Sequence, residues 1–548
     1  MTMKKLFALL ALTIFTNQIY AANLGNTSAR MWSPFVEWTL NNSSFSGNPF
    51  DVIATSTFSH SGSSKTHRTE MFYAGNNTWK FRFTGTRTGN WNFVTNSSDP
   101  ELNGHTGTVS VSSNPNATGF LTKSGNKFAI QTGNDAALKP FRLNIYMTDY
   151  DGDGNLNDTS INAFRNNTAS MTRTYARAAK NNGMSAIYIS LLHNVFELGV
   201  DRYDRHSSVD PDLDTFEIID EFITTAHSEG VHVYFWAWGD DTRRWTPTGL
   251  PGGSNGSTDI RLQRYIAARL GPLPGWSMGY GFDLHEWTTA PQRNAWANNL
   301  HSRMGWDHLL SARGARLPNG NNINGYSSDG RGEGGLDTIT LGGPHTYNEA
   351  LQDIQSDTGE PSLYEERHVY KRDRFFGATW RDTTSMEGTR RLIWRTTMVG
   401  GTGGWYGHFR EDPVFGNAPG YSNPEQLRTA ATFWDDNERF LFDMSVANNL
   451  TDGFALRNAN NRNFVFYKEN TSSIQMNLSS MSGNQTAIAV DTARSYSEVV
   501  VGNLSPGSTT WDAPYSSDWA IAVGSFNGST PPTADTTPPS RPTNLIAR

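Results

Sequence analysis

The sequence predicts an α/β protein in which a (β/α)8 TIM barrel is flanked by an N-terminal and a C-terminal β-sandwich. Alternating aromatic and polar residues fill about 32–112, β-type and helical patterns alternate over about 138–412, and short alternating runs return after about 463. The length of 548 residues is enough for about three or four domains. The predicted organisation is a signal peptide (1–22), an N-terminal sandwich (23–120), the barrel (121–440), a C-terminal sandwich (441–527) and a linker (528–548).

The first residues have the pattern of a signal peptide. Lys4 and Lys5 precede an apolar run over 6–15, and Ala21 and Ala22 offer small residues for cleavage. The run is shorter than the roughly 20 residues that a membrane-spanning helix needs. We therefore expect a periplasmic or secreted bacterial protein.

The N-terminal part has the two-residue period of half-buried strands. Trp79, Phe81 and Phe83 alternate with Lys80 and Arg82, and turn-forming Gly and Asn clusters separate such runs. Short strands at regular spacing are typical of an all-β sandwich.

The middle of the chain contains the alternation expected of a barrel. Helical patterns occupy about 161–181, 215–227 and 259–270. Such alternation fits a barrel of roughly 250 residues better than an open doubly wound sheet, because no G-x-G-x-x-G follows the first strand. The eight strand candidates are 141–147, 184–192, 231–238, 276–282, 308–312, 336–341, 361–365 and 398–405.

The C-terminal part returns to β-structure. Short strands are predicted at 463–467, 474–478 and 519–523, and 529–542 has the Pro- and Thr-rich composition of a linker.

Composition excludes several classes of protein. Without cysteine the chain cannot form a disulfide, an iron–sulfur cluster, a thiolate zinc site or a Cys nucleophile. A net charge of −7 argues against nucleic acid and anionic membranes as partners, because both need clustered Lys and Arg. The oligomeric state is left open.

Carboxylates lie beside aromatic residues at the predicted strand ends, where barrel enzymes carry their active sites. Glu286 follows the fourth strand, with Asp283 as a competitor, and Glu365 ends the seventh, with Glu366 as a competitor. Glycoside hydrolysis uses two carboxyl groups, one to protonate the leaving oxygen and one to attack the sugar or activate water. The alternative is that these carboxylates are solvated loop charges.

Other strand-end residues are candidates for binding a polysaccharide. Tryptophan can stack on sugar rings, although core packing is its commoner fate. Arginines near the strand ends, including Arg243 and Arg395, could bind an acidic or sulfated glycan or could instead form ordinary ion pairs. The substrate-binding candidates are His193, Asn194, Trp238, Asp240, Arg243, His285, Trp287, His345, Trp405 and His408.

A second site is predicted directly after the first barrel strand. Its oxygen ligands at positions 1, 3 and 5 and a Gly at position 6 match the start of a calcium loop, although position 12 is Ser160 rather than Glu. A structural Ca2+ site is therefore predicted, with a solvated Asp/Gly turn as the alternative. The ligand candidates are Asp149, Asp151, Asp153, Asn155 and Asp158.

The chain resembles bacterial glycoside-hydrolase-like barrel proteins of the large retaining clan. The resemblance is carried by 88–93 and 102–107 in the N-terminal sandwich, by 276–287, 365 and 390–401 in the barrel, and by 511–519, which is similar to a C-terminal sandwich labelled "collagen-binding". Residues 535–539 resemble the start of a fibronectin type III module.

This resemblance implies Glu286 as acid/base, Glu365 as nucleophile and secretion for polysaccharide degradation. The clan usually has Asn directly before the acid/base Glu, where this chain has His285. A neutral glycan or an acidic or sulfated algal glycan would each suit such an enzyme. The departure at His285 keeps open a non-catalytic glycan-binding or adhesion protein, and a polysaccharide lyase is a third alternative.

Overall fold

A computed structural model of the chain describes fourteen stretches of the sequence, and the fold is given for them alone. Residues 1–21, which belong to the predicted signal peptide, and residues 527–548, which include the predicted linker, lie outside the described part. The described residues are 22–133, 137–148, 164–189, 210–238, 246–281, 284, 287–312, 336–341, 347–348, 351, 360–364, 386–401, 403–406 and 423–526.

The N-terminal part consists of two sheets that pack face to face. One has the order β1-β8-β7-β3-β4 and the other β2-β6-β5. The ring centroids of Trp38 in the second sheet and Phe93 in the first are 4.7 Å apart, and those of Phe83 in the second and Phe58 in the first are 4.4 Å apart. Aromatic rings therefore fill the space between the sheets. The strands are β1 Asn23–Arg30, β2 Val36–Asn41, β3 Ala54–His60, β4 Thr66–Glu70, β5 Phe72–Tyr73, β6 Thr78–Phe83, β7 Gly89–Ser97 and β8 Thr106–Ser112.

A small antiparallel sheet, β11-β10-β9, connects this part to the middle of the chain. Its strands are β9 Thr118–Ser124, β10 Lys127–Thr132 and β11 Ala137–Pro140. Phe120 belongs to the N-terminal core and its neighbour Leu121 to the central core, because successive strand residues point to opposite faces. The sequence patterns did not predict this sheet.

Eight parallel strands form one sheet in the order β16-β15-β14-β13-β12-β19-β18-β17, and each lies within or beside a predicted strand. This is the neighbour order of a (β/α)8 barrel opened between strands five and six. At that opening Leu310 N donates to Asp337 Oδ2 and Asp337 N donates to Leu310 O, both at 2.9 Å. The strands are β12 Asn144–Thr148, β13 Ala186–Ile189, β14 His232–Trp236, β15 Trp276–Gly279, β16 Leu310–Ser311, β17 Ile339–Leu341, β18 Ser362–Tyr364 and β19 Gly403–Tyr406.

Three helices, at 168–181, 213–228 and 257–270, lie at the predicted helical patterns, and the structure adds helices at 290–303, 386–398 and 424–431. The Asp212 side chain caps α2 by accepting from the backbone N–H of Asp214 and Thr215, and Thr289 and Gln292 form a capping box at the start of α4. No helix of the described stretches has the length and apolarity needed to cross a membrane. The helices are α1 Thr168–Asn181, α2 Leu213–Ser228, α3 Ser257–Leu270, α4 Ala290–Arg303, α5 Met386–Met398 and α6 Pro424–Ala431.

One strand prediction in the barrel began too early. The sequence pattern places the apolar residues Met398 and Val399 in the eighth strand, but Met398 is the last residue of α5 and β19 begins at Gly403. Both residues are buried against the core, so their apolar character reflects the inward end of a helix.

The C-terminal part is a single six-stranded sheet in the order β20-β21-β22-β25-β23-β24. The strands predicted at 463–467 and 474–478 are two ends of one 14-residue strand, β22. Register shifts on either side of Thr471 let that strand continue past a polar segment. The strands are β20 Met444–Val446, β21 Phe454–Asn458, β22 Phe464–Asn477, β23 Gln485–Asp491, β24 Glu498–Leu504 and β25 Ser508–Val523.

Candidate active site

The small sheet β9–β11 covers the end of the parallel sheet where its strands begin. Nε2 of His227, near the end of α2, lies 2.8 Å from the carbonyl oxygen of Thr118 on β9. Lys127 Nζ donates to the Gly400 carbonyl ahead of β19, and a Cβ on Gly403 would lie 2.8 Å from the Phe128 ring. This small sheet covers the end of the parallel sheet at which its strands begin. We therefore expect an active site at the opposite, carboxyl end, where (β/α)8 barrels form theirs.

The predicted catalytic carboxylates follow described strands but lie outside the described residues themselves. Glu365 and Glu366 come directly after Tyr364, the last residue of β18, and Asp283 and Glu286 come after β15. Their own positions are therefore not described. The same is true of His193, Asn194, Asp240, Arg243, His285, His345, His408 and the predicted calcium ligands Asp149, Asp151, Asp153, Asn155 and Asp158.

Three of the predicted aromatic residues fall on described backbone. Trp238 follows β14 and is 1% exposed, and Trp287 follows β15 and is 7% exposed. The Trp287 ring lies 5.1 Å from Tyr280, which itself lies 4.4 Å from Trp296 of α4. Trp405 lies on β19, paired with Ile145 of β12. The chain thus brings Trp238 and Trp287 to strand ends as buried rings.

Aromatic and hydroxyl side chains line the face of the sheet that is turned away from α4. Tyr234 and Trp236 share one face of β14, and the Tyr234 hydroxyl lies 2.8 Å from Ser311 Oγ on β16. Gly279 of the intervening β15 makes this contact possible, because a Cβ there would overlap the Tyr234 hydroxyl and the Trp236 ring. Tyr188 of β13 continues the row at 5.4 Å from Trp236.

Sequence reasoning missed this interior row. The alternation of Tyr234 and Trp236, with Gly279 on the next strand, was the available signal. Tyr188, Tyr234, Trp236 and Ser311 are each 2% exposed, so the row is buried packing between neighbouring strands. It supports the strand that precedes Glu286 and offers no exposed ring face to a ligand.

A buried polar cluster lies on the opposite, helix-facing side of β15. Asp259 in the first turn of α3 is fully buried and accepts from the Asn255 backbone N–H at 2.7 Å. Burial raises the pKa of Asp259 to about 6. Burial also raises the pKa of Tyr280 well above its usual value, and the Asp259 charge adds to this. The cluster therefore packs against the helix-facing side of the end of β15.

Of the two alternatives for Arg395, glycan binding or an ordinary ion pair, the structure shows the ion pair. Arg395 lies in the last turn of α5, and its Nη2 and Nε lie 2.6 and 2.9 Å from the carboxylate of Glu469 on β22. It therefore joins the central region to the C-terminal sheet. Sequence alone could not show which end of the helix would meet that sheet.

The described stretches contain no group of three or more His, Asp or Glu side chains arranged to hold a metal ion. The predicted calcium loop begins directly after β12, at the carboxyl end of the first strand, and its residues belong to the part of the chain that is not described.

Solved structures resemble the chain over most of its length. A candidate glycoside hydrolase from Bacteroides vulgatus aligns with a TM-score of 0.64 and 16% identity, over 91% of this chain and 100% of its own. The fold of this chain is similar to that of solved glycoside hydrolases. A family 5 glycoside hydrolase from the same organism aligns with a TM-score of 0.52 and 15% identity, over 76% of this chain and 96% of its own.

A further structure described as a glycoside hydrolase has a TM-score of 0.50 at 14% identity and covers 75% of this chain and 98% of its own. Residues 28–98, within the N-terminal sheets, match the family model "Domain of unknown function (DUF5060)". None of the curated proteins compared with the sequence matches it. At these identities the likeness extends to the fold, and the chemistry has to be argued from the residues of this chain.

Proposed function

We propose that the protein is a secreted glycoside hydrolase that cleaves a polysaccharide by a retaining, two-carboxylate mechanism. The observation that carries the proposal is the pair of glutamates after β15 and β18, the fourth and seventh strands of a parallel sheet that shares its fold with glycoside hydrolases. Both strands direct their following residues to the same end of the sheet.

In the proposed reaction the Glu365 carboxylate attacks the anomeric carbon while Glu286 gives its proton to the departing glycosidic oxygen. The C–O bond to the leaving sugar breaks and a covalent glycosyl ester forms on Glu365. Glu286, now ionised, takes a proton from water, whose oxygen attacks the same carbon and releases Glu365. Asp283 and Glu366 are the competing assignments for the two roles.

We further propose that the parallel sheet closes into a full barrel between β16 and β17. The two hydrogen bonds between Leu310 and Asp337 support closure, because they join β16 to the residue two positions before β17. Flanking β-sandwiches, with the boundaries near 120 and 440, complete the proposed architecture.

The proposed substrate is an acidic or sulfated algal polysaccharide, with a neutral glycan as the alternative. Arg243 after β14 supports an anionic substrate, because guanidinium binds sulfate and carboxylate in two-point geometry. The loop that begins at Asp149 is proposed to bind a structural Ca2+ through its carboxylate and amide oxygens, which are the ligand type this ion prefers.

Product analysis tests the activity. The mature protein is incubated with agar, carrageenan, porphyran, fucan, xylan and pectin, and products are measured by reducing ends and by absorbance of unsaturated uronates. Reducing ends without that absorbance, lost in both Glu286→Gln and Glu365→Gln, support the proposal. Full activity in either variant contradicts the site assignment, and an unsaturated product indicates a lyase.

His285 favours one second function, a glycan-binding or adhesion protein that has lost catalysis. The retaining clan usually has Asn at this position, and its loss would weaken a contact to the sugar. Binding to a glycan of the panel without any product from it would favour this function.

A further inference from the structure

Two buried rings meet on either side of the chain segment that carries Glu286. Tyr280 directly follows β15, and Trp287 directly follows Glu286 in the sequence. The centroids of the two rings are 5.1 Å apart. The residues that flank the segment 281–286 are therefore in direct contact with each other.

Tyr280 is itself held by the sheet and by a helix. Tyr280 is 0% exposed, and its ring centroid lies 4.4 Å from that of Trp296 on α4, which is also 0% exposed. The backbone N–H of Tyr280 donates to the carbonyl oxygen of Ser311 on β16 at 2.9 Å. Because close-packed interiors leave side chains little room to move, Tyr280 gives Trp287 a fixed surface to pack against.

Leu284 holds the same segment closer to Glu286. Leu284 is 0% exposed and belongs to the central core. Its carbonyl oxygen accepts from the backbone N–H groups of Trp287 and Thr288, at 3.4 and 3.0 Å. Only His285 and Glu286 lie between these hydrogen-bonded residues in the sequence, so the chain is held directly before and directly after them.

We propose that Tyr280 and Trp287 are positioning residues for the acid/base carboxyl group of Glu286. The inference rests on the proposed function and adds to it the contacts that hold the proton donor. It also gives Trp287 a role in holding this segment in place of sugar stacking, for which a ring that is 7% exposed has too little open surface.

Proton donation depends on the exact place of the donor. In the first step Glu286 gives its proton to the glycosidic oxygen while the C–O bond breaks and the ester to Glu365 forms. A general acid has to lie within about 2.6–3.2 Å of the atom that takes the proton, and a misplacement of about 1 Å can cost about a hundredfold in rate. Loss of either ring should therefore weaken proton donation and leave the attack by Glu365 in place.

Leaving groups of different basicity separate these two contributions. The 2,4-dinitrophenolate ion departs without a proton, whereas the more basic phenolate oxygen needs one from the acid. The probes are the phenyl and 2,4-dinitrophenyl glycosides of the oligosaccharide that the unchanged protein releases from agar, carrageenan, porphyran, fucan, xylan or pectin. The measured quantity is kcat/KM, because it refers to free enzyme and substrate and so reports formation of the ester on Glu365.

Tyr280→Leu and Trp287→Leu are each expected to lower kcat/KM for the phenyl glycoside about tenfold or more, and to leave that for the dinitrophenyl glycoside nearly unchanged. Tyr280→Phe keeps both ring contacts and should restore most of the lost rate. Thermal unfolding identifies the variants that are folded under the assay conditions. If Tyr280→Leu does not fold, Trp287→Leu decides the question.

Phe222→Leu on α2 is the matched control for the loss of a buried ring. Phe222 is 1% exposed and packs on Phe164, with the ring centroids 6.1 Å apart. This variant should be less stable, but its kcat/KM values for the two probes should keep the ratio found in the unchanged protein.

The outcomes distinguish the inference from the function on which it rests. The inference alone is overturned if Glu286→Gln shows the selective loss on the phenyl glycoside while the folded Leu variants lose activity equally on both probes or lose none. Equal losses on both probes in Glu286→Gln would overturn the assignment of Glu286 as the acid, and the inference with it. If the unchanged protein releases no product from any of the six polysaccharides, the proposed function itself is contradicted.

Discussion

Arg82 on β6 and Asp220 on α2 form a buried two-point ion pair that joins the N-terminal sheets to the central region. Nη1 and Nη2 of Arg82 lie 3.0 and 2.8 Å from the two carboxylate oxygens. Arg269 on α3 donates to the same carboxylate at 2.9 Å, while Glu37 is a second partner for Arg82 at 2.8 Å. One carboxylate therefore bridges guanidinium groups from two different elements, and Glu37 supplies a second negative charge beside Arg82.

We expect Asp220→Asn to lower the free energy of unfolding by about 3–5 kcal/mol, because it leaves Arg269 buried without its charge partner. Urea unfolding measures this loss. Lys139→Gln, which removes an exposed pair with Glu438, is the control and should cost about 0–1 kcal/mol. Equal effects of the two variants would contradict the importance of the buried pair.

Asp518 fixes the C-terminal sheet to α5. Arg390 Nη2 and Arg391 Nε lie 2.6 and 2.8 Å from Asp518 Oδ2, and the carboxylate is 2% exposed. Burial alone would raise the pKa of Asp518, but hydrogen bonds from Arg391, the Asn470 N–H and Arg390 outweigh it and hold the pKa below its usual value. The ionised group therefore stabilises the fold above the pKa of an unfolded Asp, about 3.9.

This stabilisation should disappear as the pH falls below about 4 and through the lower folded pKa. Asp518→Asn should be destabilised at pH 7 and should lose less stability than the unchanged protein between pH 7 and 3. Unfolding free energies across that range test this, with the exposed Asp512→Asn on the same strand as control. Parallel pH profiles for Asp518→Asn and the unchanged protein would refute the linkage.

Gly279 is expected to tolerate no side chain. A Cβ would overlap the Tyr234 hydroxyl and Trp236 ring, so Gly279→Ala should cost about 1–3 kcal/mol and lower activity by disturbing the strand before Glu286. Thermal unfolding and product assays measure both effects. Adding Tyr234→Phe removes one overlapping atom and should recover part of the stability. No recovery in the double variant would show that the strain lies elsewhere.

Lys127 is buried, and burial lowers its pKa to about 8. Between pH 8 and about 10.4, the ordinary lysine value, the unfolded chain binds the proton that the folded chain has released, so stability rises with pH. Lys127→Met should remove this rise, and the exposed Lys139→Met should retain it. Denaturant unfolding at pH 8, 9 and 10 compares the slopes. An unchanged slope in Lys127→Met would exclude Lys127 as its source.

The strand order of the central sheet was predictable because β-type runs and helical patterns alternate there. The residues at which the strands begin and end were not predictable. β15 has only four residues, and Met398 is apolar because it ends a helix that packs against the core, not because it belongs to a strand. The sheet β9–β11 escaped prediction because Phe120 and Leu121 contribute to two different cores.

For the candidate site, the sequence predicted the catalytic carboxylates from the strands that they follow. It did not predict the buried side chains that support those strands. Tyr234 reaches Ser311 across two strand spacings, a relation that only the curled sheet creates. The sequence left open whether Arg395 binds a glycan or forms an ion pair, because a helix pattern does not reveal that its last turn contacts Glu469.

Covalent trapping tests directly whether Glu365 is the nucleophile of a retaining glycosidase. The mature protein is incubated with a panel of 2-deoxy-2-fluoroglycosyl fluorides of gluco, galacto, manno and xylo configuration, digested, and examined by peptide mass spectrometry. We expect one fluoroglycosyl group, attached to Glu365 and absent from Glu365→Gln. A label on Glu366 or another residue, or hydrolysis of these sugars with no label on any peptide, would contradict it.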